Sequence, residues 1–311
     1  MKSLRILVTG GLGAVGTYLV AELKRRGHSV AVMDLPHSAG PAYHRGDVGE
    51  YRQFENVVSR VKPEFVYHLA AEFGRWNGED FYETMWRANA VGTKHLLTLA
   101  ERYQFRGVVF SSSEVYGDFE GEMNEDVMMT QPAGALRQMN DYAISKWVNE
   151  LQVMNAAAMH GVEIVRVRLF NTYGPGERYS DYRSVICRFC YHALSGKPIT
   201  VFRGHRRTST YITDCVNGLA AIAENFKPGE VYNIASDVEH SIEEAAEIVL
   251  KVTGADPGLV DHRDSEPFTT KQKQVNAEKA RRDLGMRSTV HLEEGIANTV
   301  KWMRDFYQFK N

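Results

Sequence analysis

The segment TGGLGAVG, which follows the apolar run LRILV, constrains the fold of this chain more than any other. Gly11, Gly13 and Gly16 have the spacing G-x-G-x-x-G, and Gly10 gives a second register in which glycines recur every three residues. Glycine is required there because the backbone must turn tightly, let a pyrophosphate approach and pack a helix closely against a strand. The segment therefore predicts a strand, a tight turn and a helix whose N-terminus faces a dinucleotide.

Short apolar runs continue to alternate with helical patterns as far as Phe170. The later runs, HSVAVMD, EFVYHLA, GVVFSSS and VEIVRVRLF, are apolar throughout, which is typical of parallel strands buried on both faces. We therefore predict an α/β fold with a doubly wound parallel sheet, the Rossmann arrangement. We expect residues 1–171 and a returning segment at about 208–238 to form this domain. The remainder of 172–311 is expected to form a smaller α/β lobe on the C-terminal side, which binds the substrate.

Asp34 ends the second predicted strand, close to the distance at which a ribose-binding acid follows the glycines. Its carboxylate is suited to accept hydrogen bonds from the adenosine ribose and to repel a 2′-phosphate, and no arginine follows it immediately. The sequence therefore favours NAD over NADP as the cofactor.

Composition excludes several other classes of function. The formal net charge of −2 gives no general basic field, so we expect no nucleic-acid partner. No run approaches the ~20 apolar residues of a membrane span, and the N-terminal run becomes glycine-rich too early for a signal peptide. Three cysteines, Cys187, Cys190 and Cys215, argue against a disulfide framework and predict a reducing, cytoplasmic location. The lone C-x-x-C pair in VICRFC indicates reduced thiols rather than zinc, and we predict no metal site.

Tyr142 and Lys146 lie four residues apart in NDYAISKWVNE, so they share one face of a predicted helix. An ammonium group beside a phenol favours the phenolate, which we expect to lower the tyrosine pKa until it can take a proton from a hydroxyl. Ser111, Ser112 and Ser113 end a strand, where an open parallel sheet places its ligand. Such a pair alone is typical of a solvated helix face, but these neighbouring motifs favour a catalytic one.

Six motifs occur together over almost the whole chain: TGGLGAVG, HLAA from His68, NAVGT with Asn89, SSSEVYG, the Tyr142 to Lys146 pair and RLFNTYGPG. In combination they resemble the extended short-chain dehydrogenase/reductase family, in particular its nucleotide-sugar dehydratases, decarboxylases and epimerases. The resemblance implies that Tyr142 is the base at the carbon 4 hydroxyl of the sugar. It also implies that Lys146 holds the nicotinamide ribose and that Ser112 hydrogen-bonds the reacting oxygen.

The same resemblance implies the binding residues. Asn171, Arg207 and Arg263 are expected to meet the nucleotide diphosphate, since a guanidinium grips phosphate through paired hydrogen bonds. Asp47 is expected to meet the adenine. The full set of expected cofactor contacts is Gly10, Gly11, Gly13, Ala14, Val15, Gly16, Asp34, Asp47, Val48, Leu69, Ala70, Ala71, Asn89, Ser111, Tyr142 and Lys146.

Glu114 indicates the reaction step that comes after oxidation at carbon 4. A ketone there acidifies the hydrogen on carbon 5, and a carboxylate near it can remove that proton and start elimination of the carbon 6 hydroxyl. The leading hypothesis is therefore a 4,6-dehydratase. The Ser113-Glu114 pair resembles that of GDP-mannose dehydratases, but SEVYGD, from Ser113 to Asp118, also resembles the UDP-glucuronate decarboxylases. A decarboxylase needs a cation near the carboxylate, which Arg75 or Arg183 could supply. A 4-epimerase and a non-catalytic NAD sensor remain further alternatives.

The segment from Glu72 to Trp86 departs from the common form of the family, which leaves the nucleotide and the sugar open. Helices predicted from Phe81 to Tyr103 and from Asp141 to Ala158 pair, by resemblance, with their copies in a four-helix interface. We therefore expect a homodimer.

Overall fold

The computed structural model describes residues 2–132 and 134–309. The strands, in chain order, are β1 (Arg5–Thr9), β2 (Ser29–Asp34), β3 (Tyr43–Arg45), β4 (Phe65–His68), β5 (Arg106–Ser112), β6 (Glu122–Met123), β7 (Ile164–Leu169), β8 (Thr172–Tyr173), β9 (Ile199–Phe202), β10 (Arg206–Thr208), β11 (Thr210–Tyr211), β12 (Val231–Ile234), β13 (Glu239–Ser241), β14 (Val260–Arg263) and β15 (Gln274–Val275). The helices are α1 (Ala14–Arg25), α2 (Tyr51–Val61), α3 (Arg75–Asp80), α4 (Tyr82–Trp86), α5 (Gly92–Tyr103), α6 (Val127–Thr130), α7 (Asp141–His160), α8 (Val185–Leu194), α9 (Ile212–Glu224), α10 (Ile242–Thr253), α11 (Glu278–Leu284) and α12 (Leu292–Tyr307).

The central sheet has seven strands in the order β12-β7-β5-β4-β1-β2-β3, and every neighbouring pair in it is parallel. The predicted doubly wound fold is thus confirmed. The chain moves outward from β1 in both directions, so the strand order reverses between β1 and β4. In open sheets of this kind a ligand binds beyond the carboxyl ends of the strands at that reversal.

Apolar side chains from helices on both faces bury the sheet. On one face, α1 contributes Leu19 and Leu23 to a core that continues through α9. On the other face, Phe54 of α2 and Leu96 of α5 pack into a second core with Val153 of α7. Because both faces are covered, the strands contain the continuous apolar runs that the sequence shows.

Residues beyond β7 divide between the main sheet and a smaller lobe. Helix α9 packs against α1, and β12 pairs with β7 at the edge of the main sheet. In the smaller lobe, β9 pairs with β14 and β10 pairs with β13, and helices α10 and α12 pack on α8. This lobe covers the carboxyl ends of the main strands.

Helix α8 buries both thiols of the C-x-x-C pair. Burial raises the pKa of Cys187 and Cys190, and the Cys187 thiol donates to the carbonyl oxygen of Glu177 at 3.3 Å. Across the two described ranges, no group of three or more His, Cys, Asp and Glu side chains is arranged to hold a metal ion. Nor does any helix in those ranges have the length and apolar character needed to cross a membrane.

Candidate active site

A cleft of about 580 Å³ opens beyond the carboxyl ends of β1, β4 and β5, a size typical of small-molecule sites. Its wall brings together residues from the glycine-rich turn, the ends of the parallel strands, helix α7 and the smaller lobe. Every residue that the sequence assigns to the site lines this cleft except Gly11, Asn89 and Arg263. The sequence motifs, although far apart along the chain, therefore converge on one place.

The glycine-rich turn leaves no room for side chains. A Cβ on Gly10, which has φ +70°, would lie 2.7 Å from the amide nitrogen of Ala70, and one on Gly16 would overlap the carbonyl oxygen of Gly10. Helix α1 begins directly after Gly13 and has no acidic residue in its first turn. The free amides of that turn therefore face the cleft as an anion site, which fits the pyrophosphate of a dinucleotide.

Gly11 has a different reason to be glycine. A Cβ there would lie 2.7 Å from the side chain of Val32 in the neighbouring strand, and Gly11 does not line the cleft. Its role is close packing between the turn and β2, so the structure corrects the expectation of a cofactor contact.

Two carboxylates are fixed at the cofactor end of the cleft. Asp34 accepts hydrogen bonds from the amides of Leu12 and Leu35, both at 2.8 Å, and Asp47 accepts one from Gly49 at 2.8 Å. Both carboxylates line the cleft and are held rigidly by backbone amides. They are oriented to receive hydroxyl or amine donors, as a ribose and an adenine would offer.

Asn89 also lies outside the cleft wall. Its side chain accepts from the amide of Glu72 and donates to the carbonyl of Glu72, both at 3.0 Å, and donates to Ser145 at 3.0 Å. It lies in a π-helical turn, Arg87–Val91, that interrupts the helix predicted from Phe81. Asn89 therefore anchors the segment after Ala71 to α7 rather than contacting the cofactor directly.

The reactive pair lies on α7, which begins after Asn140. The side-chain oxygen of Asn140 accepts from the amide of Ala143 at 2.8 Å and caps the helix. Lys146 donates from Nζ to the carbonyl oxygen of Phe110 at 2.9 Å, and its Nζ lies 5.8 Å from the centre of the Tyr142 ring. The helix and the end of β5 therefore hold Tyr142 and Lys146 in fixed positions beside Ser112.

Burial controls the protonation of this pair. It raises the pKa of Tyr142, the hydroxyl of Ser112 opposes that rise, and the negative charge of Glu114 adds to it. Burial also lowers the pKa of Lys146 to about 8. The expectation that Lys146 lowers the tyrosine pKa is therefore not met in this structure, because the lysine is directed at a carbonyl oxygen and burial dominates.

Glu114 lies among three cations, of which the sequence pointed to Arg75 and Arg207 as site residues but not to Lys273. Its carboxylate forms an ion pair with Lys273, whose side chain is only 3% exposed. Burial raises the pKa of Glu114, but Lys273, Arg75 and Arg207 outweigh burial and bring it down to about 2. Lys273 is 159 residues away in the chain, in a segment with no recognisable motif, so only the fold reveals the contact.

Arg207 lines the cleft but is already hydrogen-bonded to the backbone. Its guanidinium donates to the carbonyl oxygens of Arg206, Thr270 and Lys271 at 2.7 to 2.9 Å. It therefore fixes the segment that carries Lys273 as well as adding positive charge to the cleft.

Two further arginines line the cleft from α8 and the loop before it. The guanidinium carbon of Arg183 lies 4.1 Å above the ring of Phe73. The Nε atoms of Arg183 and Arg188 are buried and have no hydrogen-bond partner within the described ranges. Arg188 was missed by the sequence reasoning, and its only signal was a charge within the apolar helix VICRFCYHAL. Both arginines are available for an anion, and Asn171 lies on the same cleft wall.

Arg263 does not reach the cleft. It lies on the exposed strand β14, where its Nε pairs with Asp261 at 3.0 Å and its carbonyl accepts from the amide of Arg203. Its side chain is 62% exposed, so the structure removes it from the expected diphosphate contacts.

Residues 6–235 match the model of the NAD dependent epimerase/dehydratase family. A UDP-N-acetyl-alpha-D-glucosaminuronate decarboxylase from Bacillus cytotoxicus is 28% identical over 97% of this chain and 98% of its own length. A dTDP-glucose 4,6-dehydratase from Streptomyces niveus is 29% identical over 97% of this chain and 93% of its own length. An epimerase of known structure from Methanothermobacter thermautotrophicus superposes with a TM-score of 0.88 at 28% identity, covering 97% of this chain and 93% of the other. These three relatives are named for three different reactions.

Proposed function

This chain belongs to the NAD-dependent epimerase/dehydratase family, and we propose that it oxidises carbon 4 of a nucleotide-diphosphate sugar uronate and then releases the carbon 6 carboxylate as carbon dioxide. The release of carbon dioxide is supported by the ion pair between Glu114 and Lys273, with Arg75 and Arg207 close by. The first half rests on the cleft geometry around Tyr142.

The first step needs a base beside the carbon 4 hydroxyl and a hydride acceptor. The glycine-rich turn and Asp34 would hold NAD, the cofactor of the family, which would supply the hydride acceptor. Tyr142 takes the hydroxyl proton, Ser112 donates a hydrogen bond to the same oxygen, and Lys146 stabilises the developing phenolate. Since burial disfavours the phenolate, Tyr142 needs a positive charge to act, and Lys146 supplies it if its Nζ turns from the carbonyl oxygen of Phe110 toward the phenolate.

The second step then breaks the bond between carbons 5 and 6. A carboxylate placed beta to the new ketone leaves as carbon dioxide, and its electron pair moves through carbon 5 to the carbon 4 oxygen. Solvent would supply the proton that carbon 5 then needs, and the hydride removed in the first step would have to come back to carbon 4 to give a nucleotide pentose. Tyr142 and Ser112 face the oxygen on which the charge develops, so they serve this step as well.

Dehydration requires Glu114 to act differently. To remove the carbon 5 proton and then protonate the leaving hydroxyl, a carboxyl group works best with a pKa near neutrality. Three cations instead hold Glu114 ionised with a pKa of about 2, so it is a weak base and at neutral pH carries no proton for the leaving hydroxyl. The same cations suit a substrate that carries its own carboxylate. The sequence alone favoured dehydration, and the geometry favours decarboxylation.

A 4,6-dehydratase is the second candidate function. Glu114 lies two residues beyond Ser112 and its amide donates to the Ser112 hydroxyl at 3.2 Å, so its carboxylate is near the reacting carbon. If substrate binding separated Lys273 from Glu114, burial would raise the pKa of the carboxyl and restore its basicity.

Product mass distinguishes these reactions. The protein is incubated with NAD and a panel of UDP-, dTDP- and GDP-hexoses and the corresponding uronates, and Tyr142→Phe serves as the inactive control. We expect loss of carbon dioxide from a uronate. Loss of water from a hexose would favour the dehydratase, and an unchanged mass with altered stereochemistry would favour an epimerase. No product from any sugar would favour a non-catalytic NAD sensor.

The assembly that we propose is a homodimer. Val91, Ile144 and Leu151 are apolar, 36 to 44% exposed, and lie on or beside α5 and α7, which pack together. Such side chains are suited to the core of an interface with a second copy. Light scattering at micromolar concentration should give twice the chain mass, and Leu151→Glu should reduce it to that of a monomer. A monomer mass for the unmodified protein would contradict the proposal.

A further inference from the structure

Arg75 lies in the segment that departs from the family pattern, and its guanidinium faces the cleft beside a second acid. Its Nη2 donates to Oε1 of Glu266 at 2.8 Å, and Nη1 donates to the carbonyl oxygen of Pro267 at 3.5 Å. The side chains of Arg75 and Glu266 are only 21% and 14% exposed, and both line the cleft. A carboxylate from a distant loop therefore occupies this arginine.

The neighbouring cations have other partners. Lys273 pairs with Glu114, and Arg207 donates chiefly to backbone carbonyl oxygens, with the second oxygen of Glu266 3.9 Å away. Arg75 differs from both, because its main partner, Glu266, is a carboxylate on a loop. A guanidinium can bind the carboxylate of a ligand in the same way as that of a side chain. A carboxylate on the sugar would satisfy Arg75 as well as Glu266 does.

The loop that carries Glu266 is held at its cleft side by Arg75 and Asn140, and Arg207 binds the residues that follow it. Phe268 adopts φ +61°, a conformation that residues other than glycine rarely take, and its ring packs edge-on against Trp76 at 5.0 Å. Its carbonyl oxygen accepts from Asn140 at 3.1 Å. Asp264 at the start of the loop is exposed and pairs with Arg203 outside the cleft. Because Phe268 is strained here, movement of the loop would relieve part of the cost of separating Glu266 from Arg75.

We propose that Arg75 selects substrates that carry a carboxylate on the sugar, and that Glu266 occupies its guanidinium until the substrate carboxylate displaces it. This inference rests on the proposed function, since it names the residue that recognises the uronate. Arg75 acts mainly on binding, because the negative charge of the carboxylate moves away from it as carbon dioxide leaves.

Binding measurements test the proposal without relying on turnover. Dissociation constants for UDP-glucuronate and UDP-glucose are measured by calorimetry in the presence of NAD. The wild type should bind the uronate more tightly. Arg75→Gln should weaken uronate binding about 10- to 100-fold, the range for a charge-assisted hydrogen bond, and change UDP-glucose binding less than about 2-fold. Arg75→Lys, which keeps the charge, should recover part of the loss.

The second variant concerns the competing carboxylate. Glu266→Gln should tighten uronate binding several-fold, because it removes the internal competitor, and leave UDP-glucose unchanged. The matched control is Arg203→Gln, which breaks an ion pair to the same loop outside the cleft and should alter neither constant. In steady-state assays Arg75→Gln should raise KM for the uronate far more than it lowers kcat.

Two results separate this inference from the proposed function. If the wild type releases carbon dioxide but Arg75→Gln weakens both ligands equally or neither, the role of Arg75 is overturned and the reaction stands. If the wild type prefers the uronate through Arg75 and releases no carbon dioxide from it, the selection stands and decarboxylation fails. If Arg203→Gln and Glu266→Gln changed the uronate dissociation constant equally, loosening of the loop would explain both effects. The proposal that the substrate carboxylate displaces Glu266 would then be wrong.

Discussion

Replacing Glu114 with glutamine tests whether the cationic cluster stabilises the fold through this carboxylate. The pKa of Glu114 is about 2 in the structure, against an ordinary value of 4.5. Because one pKa unit corresponds to about 1.4 kcal/mol, the ionised carboxylate contributes about 3 kcal/mol to the free energy of unfolding. Glu114→Gln leaves Lys273 buried without its partner, which is the arrangement that costs most when a buried ion pair is broken.

The pH dependence follows from the direction of the pKa change. A carboxyl with a lower pKa in the folded than in the unfolded protein stabilises fully above the unfolded value, and the stabilisation disappears as pH falls through the folded value. We therefore expect the difference between wild type and Glu114→Gln to be about 3 kcal/mol at pH 7. It should shrink by roughly 1 kcal/mol by pH 4, since the unfolded chain then begins to bind the proton.

Urea unfolding followed by tryptophan fluorescence at pH 7, 5.5 and 4 measures this difference. The matched control is Glu293→Gln, which removes a carboxylate from an exposed pair with Lys251 and should cost less than about 1 kcal/mol. Equal unfolding free energies for the two variants at pH 7, or greater stability of Glu114→Gln than of wild type, would refute the reasoning.

Three other perturbations have expected outcomes. Arg168 is fully buried, and Glu150 accepts two hydrogen bonds from it at 2.8 Å. Glu150→Ala removes this counter-charge, so urea unfolding should show the free energy of unfolding reduced by about 3–5 kcal/mol. Burial lowers the pKa of Lys146 to about 8, so the charged lysine destabilises the fold below that pH. Lys146→Met should therefore raise the free energy of unfolding at pH 7 by up to about 3 kcal/mol, and it should abolish turnover. Gly16→Ala forces a Cβ onto the carbonyl of Gly10, and calorimetry should detect no NAD binding at concentrations that saturate the wild type.

Local patterns in the sequence predicted the parts of the site that local structure creates. The glycine spacing requires a strand, a turn and a helix within a few residues of one another, and the four-residue spacing of Tyr142 and Lys146 holds on any helix. The continuous apolar runs indicated a parallel sheet because strands buried on both faces need them. These inferences depend on neighbours along the chain, so no tertiary information was needed.

The remaining parts depend on contacts between distant segments. The pairing of β15 with β6 and the hydrogen bonds from Arg207 bring Lys273 to Glu114, and no spacing rule links those segments. Arg263 was assigned to the cleft by resemblance, yet its strand presents it to solvent. The pKa of Tyr142 was predicted from its helical neighbour Lys146, whereas burial by the surrounding fold and the charge of Glu114 raise it.

The side-chain amide of Asn140 joins two parts of the molecule that are usually altered separately. Its oxygen caps the helix that carries Tyr142, while its nitrogen donates to the carbonyl of Phe268 and, at 3.5 Å, to Glu114. A loop grafted from a relative to change sugar preference would therefore also disturb the first turn of α7 unless residue 268 kept its positive φ. Such chimaeras should lose rate on every sugar alike, and restoring the backbone conformation at that one position should recover it.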